Sequence, residues 1–415
     1  MKKCLVISAI LALSACASQS GWQMRATPQQ HAISGSLTKL PDVTEIANLT
    51  LTGFPSAYMP QHVRPCCAFG DDQSVALGNV KVPFFQYSNT LSLDELGAHS
   101  FDAGTISLTK KTPKSSRELE KNGMMYTLRG GFLDIAHIRD TADNTVGLFY
   151  QIFPELGQDA KIAIPDELGT RYIQLSAFDV SQFNARERWK LSAHIAAYMS
   201  FVMAQAHEIA QWHGYRSFAP WPETISAFSP EDLYSNMLGS KVALSLLLTN
   251  LALTQELYEQ HFTSWLYKTI KSLEPLSKEE TNQLFKMLDG HWWDSSVSMP
   301  NKYMVLKRDY HIGTHRMPLL VPNDFIAQLN LSDKLSSKES VANKAISLNL
   351  EMEILGQNLS QLATMYLQVD AEHHQSFKHI PQSVWLEGFT NQAFQVIAEY
   401  NKDFDQLELN HQKKH

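Results

Sequence analysis

Two short segments combine imidazoles and carboxylates at spacings that could hold a metal or move protons. The first is Asp134-Ile135-Ala136-His137-Ile138-Arg139-Asp140-Thr141-Ala142-Asp143-Asn144. Wound as a helix, it places His137, Asp140, Thr141 and Asn144 in one stripe with Asp134 beside His137, because residues three and four apart are neighbours on a helix surface. The second is His207-Glu208-Ile209-Ala210-Gln211-Trp212-His213, at the end of a long apolar run. An ionised carboxylate placed there costs several kcal/mol unless it gains a partner, a proton or a metal. Two such helices facing each other would bring His137, Asp140, His207 and Glu208 to one point. Mixed imidazole and carboxylate ligation suits zinc, manganese or iron. The expectation is a metal on His137, Asp140 and His207 with Glu208 as general base, and with Asp134, Asp143, Gln211, Asp232 and Asn236 as possible lining. The competing expectation is a buried ion-pair network of Arg139 with Asp140 and Asp143 that serves only the fold.

Other patterns are weaker or exclude chemistry. Zinc proteases carry two histidines four residues apart on one helix with a Glu base between them. Here the position four after His207 is Gln211, a poor zinc ligand, and His213 falls on another face, so that site is not present. Ser229-Pro230-Glu231-Asp232 reads as a helix start, with Ser before Pro and acids in the first turn. Asp232 and Asn236 are four apart and could point together. Gly313 between His311 and His315 argues against a shared helix for that pair. Trp221, Trp292 and Trp293 are expected in the core. There is no G-x-S-x-G elbow, no P-loop and no dinucleotide fingerprint, so three common enzyme classes lose support.

The elements that must position these groups are mostly helices. Ala185 to His213 reads as one helix, apolar on nearly every face and stopped by Gly214. Residues 118–290 read as largely helical, with a helix near 132–150, and two further helices are expected at about 338–370 and 383–407. Short β-favouring runs such as Ile46–Leu51 and Val80–Phe85 occupy 43–111, and strand and loop character returns at 291–325. The expected fold class is α+β, mainly helical, with buried central helices and small irregular β portions at the edges. The expected division is a signal peptide at 1–15, a lipidated Cys and tether at 16–41, a main globular domain at 42–330 and a C-terminal helical segment at 331–415.

The address is read from the N-terminus. Lys2 and Lys3 precede a short apolar run that ends in Leu13-Ser14-Ala15-Cys16, an arrangement that resembles a lipoprotein cleavage box. The run is far shorter than the ~20 residues a membrane-spanning helix needs. Lipid on Cys16 would then supply the membrane attachment, and Ala17 rather than Asp favours the outer membrane facing the periplasm. Of four cysteines, this leaves the mature body only the adjacent Cys66 and Cys67, so no disulfide framework is possible. A formal charge of -7, and two charges more negative without Lys2 and Lys3, leaves no electrostatic footprint for nucleic acid.

Four separated phrases occur in order: Arg64-Pro65-Cys66-Cys67-Ala68-Phe69-Gly70, the Asp134–Asp143 segment, His207-Glu208-Ile209-Ala210, and Glu231-Asp232-Leu233-Tyr234-Ser235-Asn236. They resemble an uncharacterised bacterial lipoprotein family, domain of unknown function 4056, over roughly residues 60–320. The resemblance implies an exported single-chain domain and carries no established activity. Two functions follow as expectations. One is a membrane-anchored, metal-dependent hydrolase of a cell-envelope substrate; the other is a non-catalytic envelope lipoprotein that binds a partner or assists assembly.

Overall fold

Local signals set most element boundaries. The computed structural model describes residues 27–38, 58–64, 69–77, 80–87, 89–103, 120–217, 222–329 and 345–412. All four cysteines, the signal segment, the Ile46–Leu51 run and Trp221 lie outside the described residues. A short helix α1 (Gln30–Thr38) is followed by an antiparallel hairpin of β1 (Gln73–Leu77) and β2 (Val80–Tyr87). A second hairpin pairs β3 (Met124–Thr127) with β4 (Gly131–Asp134), and its last residue caps the next helix, α2 (Ile135–Glu155). Asp134 Oδ1 accepts from the backbone N–H groups of Ala136 and His137 at 2.7 and 3.4 Å, satisfying donors that a helix start leaves unpaired.

Strands β5 (Ala160–Ala163) and β6 (Arg171–Leu175) pair antiparallel ahead of α3 (Ala185–Trp212). A reciprocal cap between Asn184 and Glu187 opens α3, and Gly214 at φ +95° lies beyond its end. Every residue of α3 from Leu191 to Met203 is buried, as its all-round apolar sequence requires. The next helix, α4 (Asp232–Leu248), is buried at all 17 positions. Helices α5 (Gln255–Ser272) and α6 (Lys278–Met287) complete the middle of the chain. Among the described residues no helix is long and apolar enough to cross a membrane.

Helices α2, α3 and α4 pack on one another to form the centre of the main core. Gly239 explains how α2 and α4 approach so closely: a Cβ there would sit 2.1 Å from the Ile138 carbonyl oxygen. The Ser235 hydroxyl also accepts the Asp134 backbone N–H at 2.9 Å. These contacts bring the start of α2 against the first turn of α4, and so Asp134 and His137 against Asp232.

The C-terminal region differs from the helical expectation for 338–370. Leu348–Asn349 pairs with His315–Arg316, and β7 (Ala363–Leu367) pairs antiparallel with β6 in a sheet of order β8-β7-β6-β5, where β8 is Phe389–Thr390. Burial along β7 alternates with period two, which a partner strand can use and a helix cannot. Among the described residues α-helix in this region is limited to single turns at Leu359–Leu362 and Gln382–Trp385 ahead of α7 (Phe394–Gln412). Trp212 Nε1 donates to Asp405 Oδ2 at 2.9 Å and ties α7 to the end of α3. The architecture is mainly helical α+β with small antiparallel sheets.

Candidate metal centre

The start of α2 and the first turn of α4 place three ligand types at one point. Oxygens of Asp134 and Asp232 and a ring nitrogen of His137 all lie within 4.8 Å of one another, and all three residues are buried. His137 Nε2 is 3.3 Å from Asp232 Oδ1 and 3.9 Å from Asp134 Oδ2. Neither oxygen of Asp232 accepts a well-formed hydrogen bond among the described residues, although its side chain is 0% exposed and His137 Nε2 stands near Oδ1. Native proteins leave few buried polar atoms so, and two on one carboxylate point to a cation or a proton as the missing partner.

More acids stand behind these. Glu208 accepts from the Phe228 backbone N–H at 2.6 Å through one oxygen, while the other has no donor among the described residues. Burial pushes its pKa up to about 7 against the pull of His207. Burial and the neighbouring carboxylates push Glu231 and Asp232 well above the usual range. Four carboxylates thus share one desolvated neighbourhood. The nearby cations are engaged elsewhere, Arg308 with the carbonyls of Ala227, Thr224 and Lys302, and Arg316 with Asp309. Protons must occupy the group when no metal does, and a divalent cation would compete with them.

His137 is held at both ends. Asn236 Nδ2 stands 3.5 Å from His137 Nδ1 and donates to the Asp232 carbonyl at 2.9 Å, while Asn236 Oδ1 accepts from Thr141 at 2.5 Å. Burial, reinforced by His207, lowers the His137 pKa to about 3, so the ring is neutral. With the amide in this orientation Nδ1 is the acceptor and Nε2 carries the proton toward the carboxylates. A metal on Nε2 requires the proton on Nδ1, with Asn236 turned to offer its carbonyl oxygen.

A cavity of about 150 Å³ opens beside this group, with His137, Asn236, Asp140, Glu167, His207 and Tyr215 in its walls. His207, from α3, faces His137 with ring centres 6.5 Å apart. Its Nδ1 lies 2.8 Å from Glu167 Oε1, and Glu167 in turn binds Arg171 at 2.5 Å. Its Nε2 has no hydrogen-bond partner among the described residues, the nearest carboxylate being Glu223 at 3.8 Å. Burial works against a charge on His207, but Glu167, Glu223 and Glu208 outweigh it and push the pKa up to about 9.

The sequence-named residues divide into two groups. Asp134, His137, Asp232, Asn236, His207 and Glu208 converge around the centre. Asp140 lines the cleft, but its carboxylate binds the Arg64 guanidinium at 2.7 Å and the Arg64 backbone N–H at 3.0 Å. Asp143 lies deeper, between Arg64, His99 and the Tyr258 hydroxyl. The expected ion-pair network therefore exists, but Arg64 replaces Arg139 as its hub, and Arg139 pairs with Glu120. Gln211 lies behind the centre, its amide nitrogen donating to Glu223 at 3.2 Å. Glu167, Glu223 and Arg171 were not anticipated: they sit on loops and a strand start, where no periodicity marks a buried charge. Cys16 lies outside the described residues.

A family model described as Protein of unknown function (DUF4056) matches residues 54–322. The chain belongs to that family. The matched span holds every residue of the centre and ends before β7, so the C-terminal sheet strands and α7 fall outside it. No curated protein and no solved structure matches the chain.

Proposed function

We propose that this chain is a metal-dependent hydrolase, exported and anchored to the cell envelope through lipid on Cys16, and acting on an envelope substrate. The observation that carries the metal reading is Asp232: a fully buried carboxylate with no well-formed hydrogen bond on either oxygen among the described residues, set against Asp134 and His137. Asp134 Oδ2, His137 Nε2 and Asp232 Oδ1 would hold the ion. The mixed oxygen and nitrogen set suits zinc, manganese or iron. Such an ion supplies Lewis acidity, which polarises a carbonyl or phosphoryl oxygen and makes water easier to deprotonate.

The chain's own residues supply the rest. Asp134 is fixed by the α2 cap it forms, so its second oxygen is aimed without freedom. Asn236 and Thr141 orient the His137 ring. Glu208, tied to the Phe228 N–H and wholly buried, adds negative charge behind the centre and does not reach the cleft wall. The N-terminal address is supported by Lys2, Lys3 and the Leu13–Cys16 box.

Elemental analysis of the purified body tests the metal reading. One equivalent of metal in the wild type, lost in Asp232→Asn and His137→Ala, is the expected result. Folded wild type that neither carries nor takes up zinc, manganese or iron would overturn it and leave a non-catalytic envelope protein.

A further inference from the structure

We infer that His207 is the proton-transfer residue of this site rather than a metal ligand, and that Glu167, backed by Arg171, is the positioning residue that aims it. The inference rests on the metal reading above. With metal–nitrogen bonds of about 2.1 Å and ring centres roughly 1.1 Å beyond the nitrogens, two imidazoles on one tetrahedral ion have centres about 5 Å apart. The His137 and His207 centres are 6.5 Å apart, too wide for a shared tetrahedral ion such as zinc, and the two rings line the cleft from α2 and α3.

The hydrogen bonding assigns the atoms. The Glu167 carboxylate accepts at 2.8 Å, so His207 Nδ1 carries a proton. Arg171 holds the other oxygen of Glu167 at 2.5 Å, which fixes the carboxylate and so the plane of the ring. Tyr215 packs edge-on against that ring at 5.3 Å. Nε2 is then the free ring nitrogen, in a cleft wall, without a partner among the described residues. An imidazole oriented by a carboxylate and presenting its second nitrogen to a reaction space is the arrangement that general acid–base catalysis needs.

In the hydrolytic step, the oxygen of water bonds to the electrophilic carbon or phosphorus while one of its protons passes to Nε2 of the neutral His207 ring. As the bond to the leaving group breaks, that proton goes to the departing oxygen or nitrogen. Water is the only co-reactant, and His207 ends as it began.

The test is zinc affinity by chelator competition on the full body, with His207→Ala, His207→Gln, Glu167→Gln and His137→Ala, and ¹⁵N-histidine NMR of the zinc-loaded forms. Both His207 variants are expected to bind zinc within about 3-fold of wild type, while His137→Ala loses at least 100-fold. In loaded wild type at a pH where the His207 ring is neutral, its signals should show a proton on Nδ1 and none on Nε2. Glu167→Gln should mix the two tautomers and leave zinc affinity unchanged, a result that a purely structural role would not produce. A 100-fold loss of affinity in His207→Gln would make His207 a ligand and overturn this inference while sparing the metal reading. An unchanged tautomer in Glu167→Gln would remove Glu167 from the role. Wild type that binds no zinc, manganese or iron would sink both readings together.

Discussion

Helix α2 carries two buried acidic clusters one to two turns apart, and they are solved in opposite ways. Around Asp140 and Asp143 the charges close on themselves. Arg64 binds both carboxylates and Glu120, Arg139 adds a second cation at Glu120, and His99 and Tyr258 complete Asp143. Around Asp232 and Glu208, among the described residues, no arginine forms an ion pair with either carboxylate, and both oxygens of Asp232 and one of Glu208 accept no hydrogen bond. A protein interior tolerates charge only when it is paired. The closed cluster therefore reads as structure, and the open one as a place for a ligand.

The closed cluster should fail hardest when opened. Arg64→Met leaves Asp143, which is buried, and Asp140 and Glu120, which are partly buried, short of their main cation and is expected to cost about 3–5 kcal/mol in urea unfolding. A loss under ~1 kcal/mol would mean the cluster is not the lock described here. The open cluster should instead gain when filled. Zinc or manganese at 100 times its Kd should stabilise wild type by about 2.7 kcal/mol, and the melting temperature would show it. The same metals should leave Asp232→Asn unmoved.

Glu120 and Asp143 of the closed cluster and Glu208 of the open one predict opposite pH slopes. Burial pushes Asp140 up to about 6 against the pull of Arg64, in the same direction as Glu208. Burial raises the carboxyls of Glu120 and Asp143, but His99 and the arginines outweigh it and hold both below the usual range. Their stabilisation is present at neutral pH and is lost as pH falls through and below the unfolded carboxylate range, about 4. Glu208 is raised to about 7, so its contribution is full below the unfolded value and disappears as pH climbs toward 7. In the metal-free protein Glu208→Gln should flatten the decline between about pH 4.5 and 7, and Arg64→Met the decline on the acid side. Unfolding curves across pH read both slopes. The smallest effect is expected from Asp232→Asn without metal, within about 1 kcal/mol of wild type or slightly more stable, since it removes a group whose charge burial and the neighbouring carboxylates already disfavour. A loss above ~3 kcal/mol there would place Asp232 among the structural acids.

Much of the helical frame was readable beforehand. The expected helix 185–213 is observed at Ala185–Trp212, because caps, Gly214 and continuous apolarity are all local signals. The start near Ser229-Pro230 appears at Asp232. Residues 345–370 depart from the helical expectation because their strands are short and exist only through partners such as β6, far back in the chain. In the site, Asp134, His137, Asp232, Asn236 and His207 were nameable from spacing. Asp140 was equally well spaced, yet its carboxylate faces Arg64, 76 residues earlier.

By itself the sequence determined which residues could do chemistry and which helices must be buried, since both follow from residue type and period along a few turns. Only the tertiary structure decided which charges are neutralised. Cancelling a buried charge takes a partner about 3 Å away, and here those partners come from distant loops and strands: Arg64 for Asp140, Glu167 for His207, and no arginine or lysine for Asp232 among the described residues.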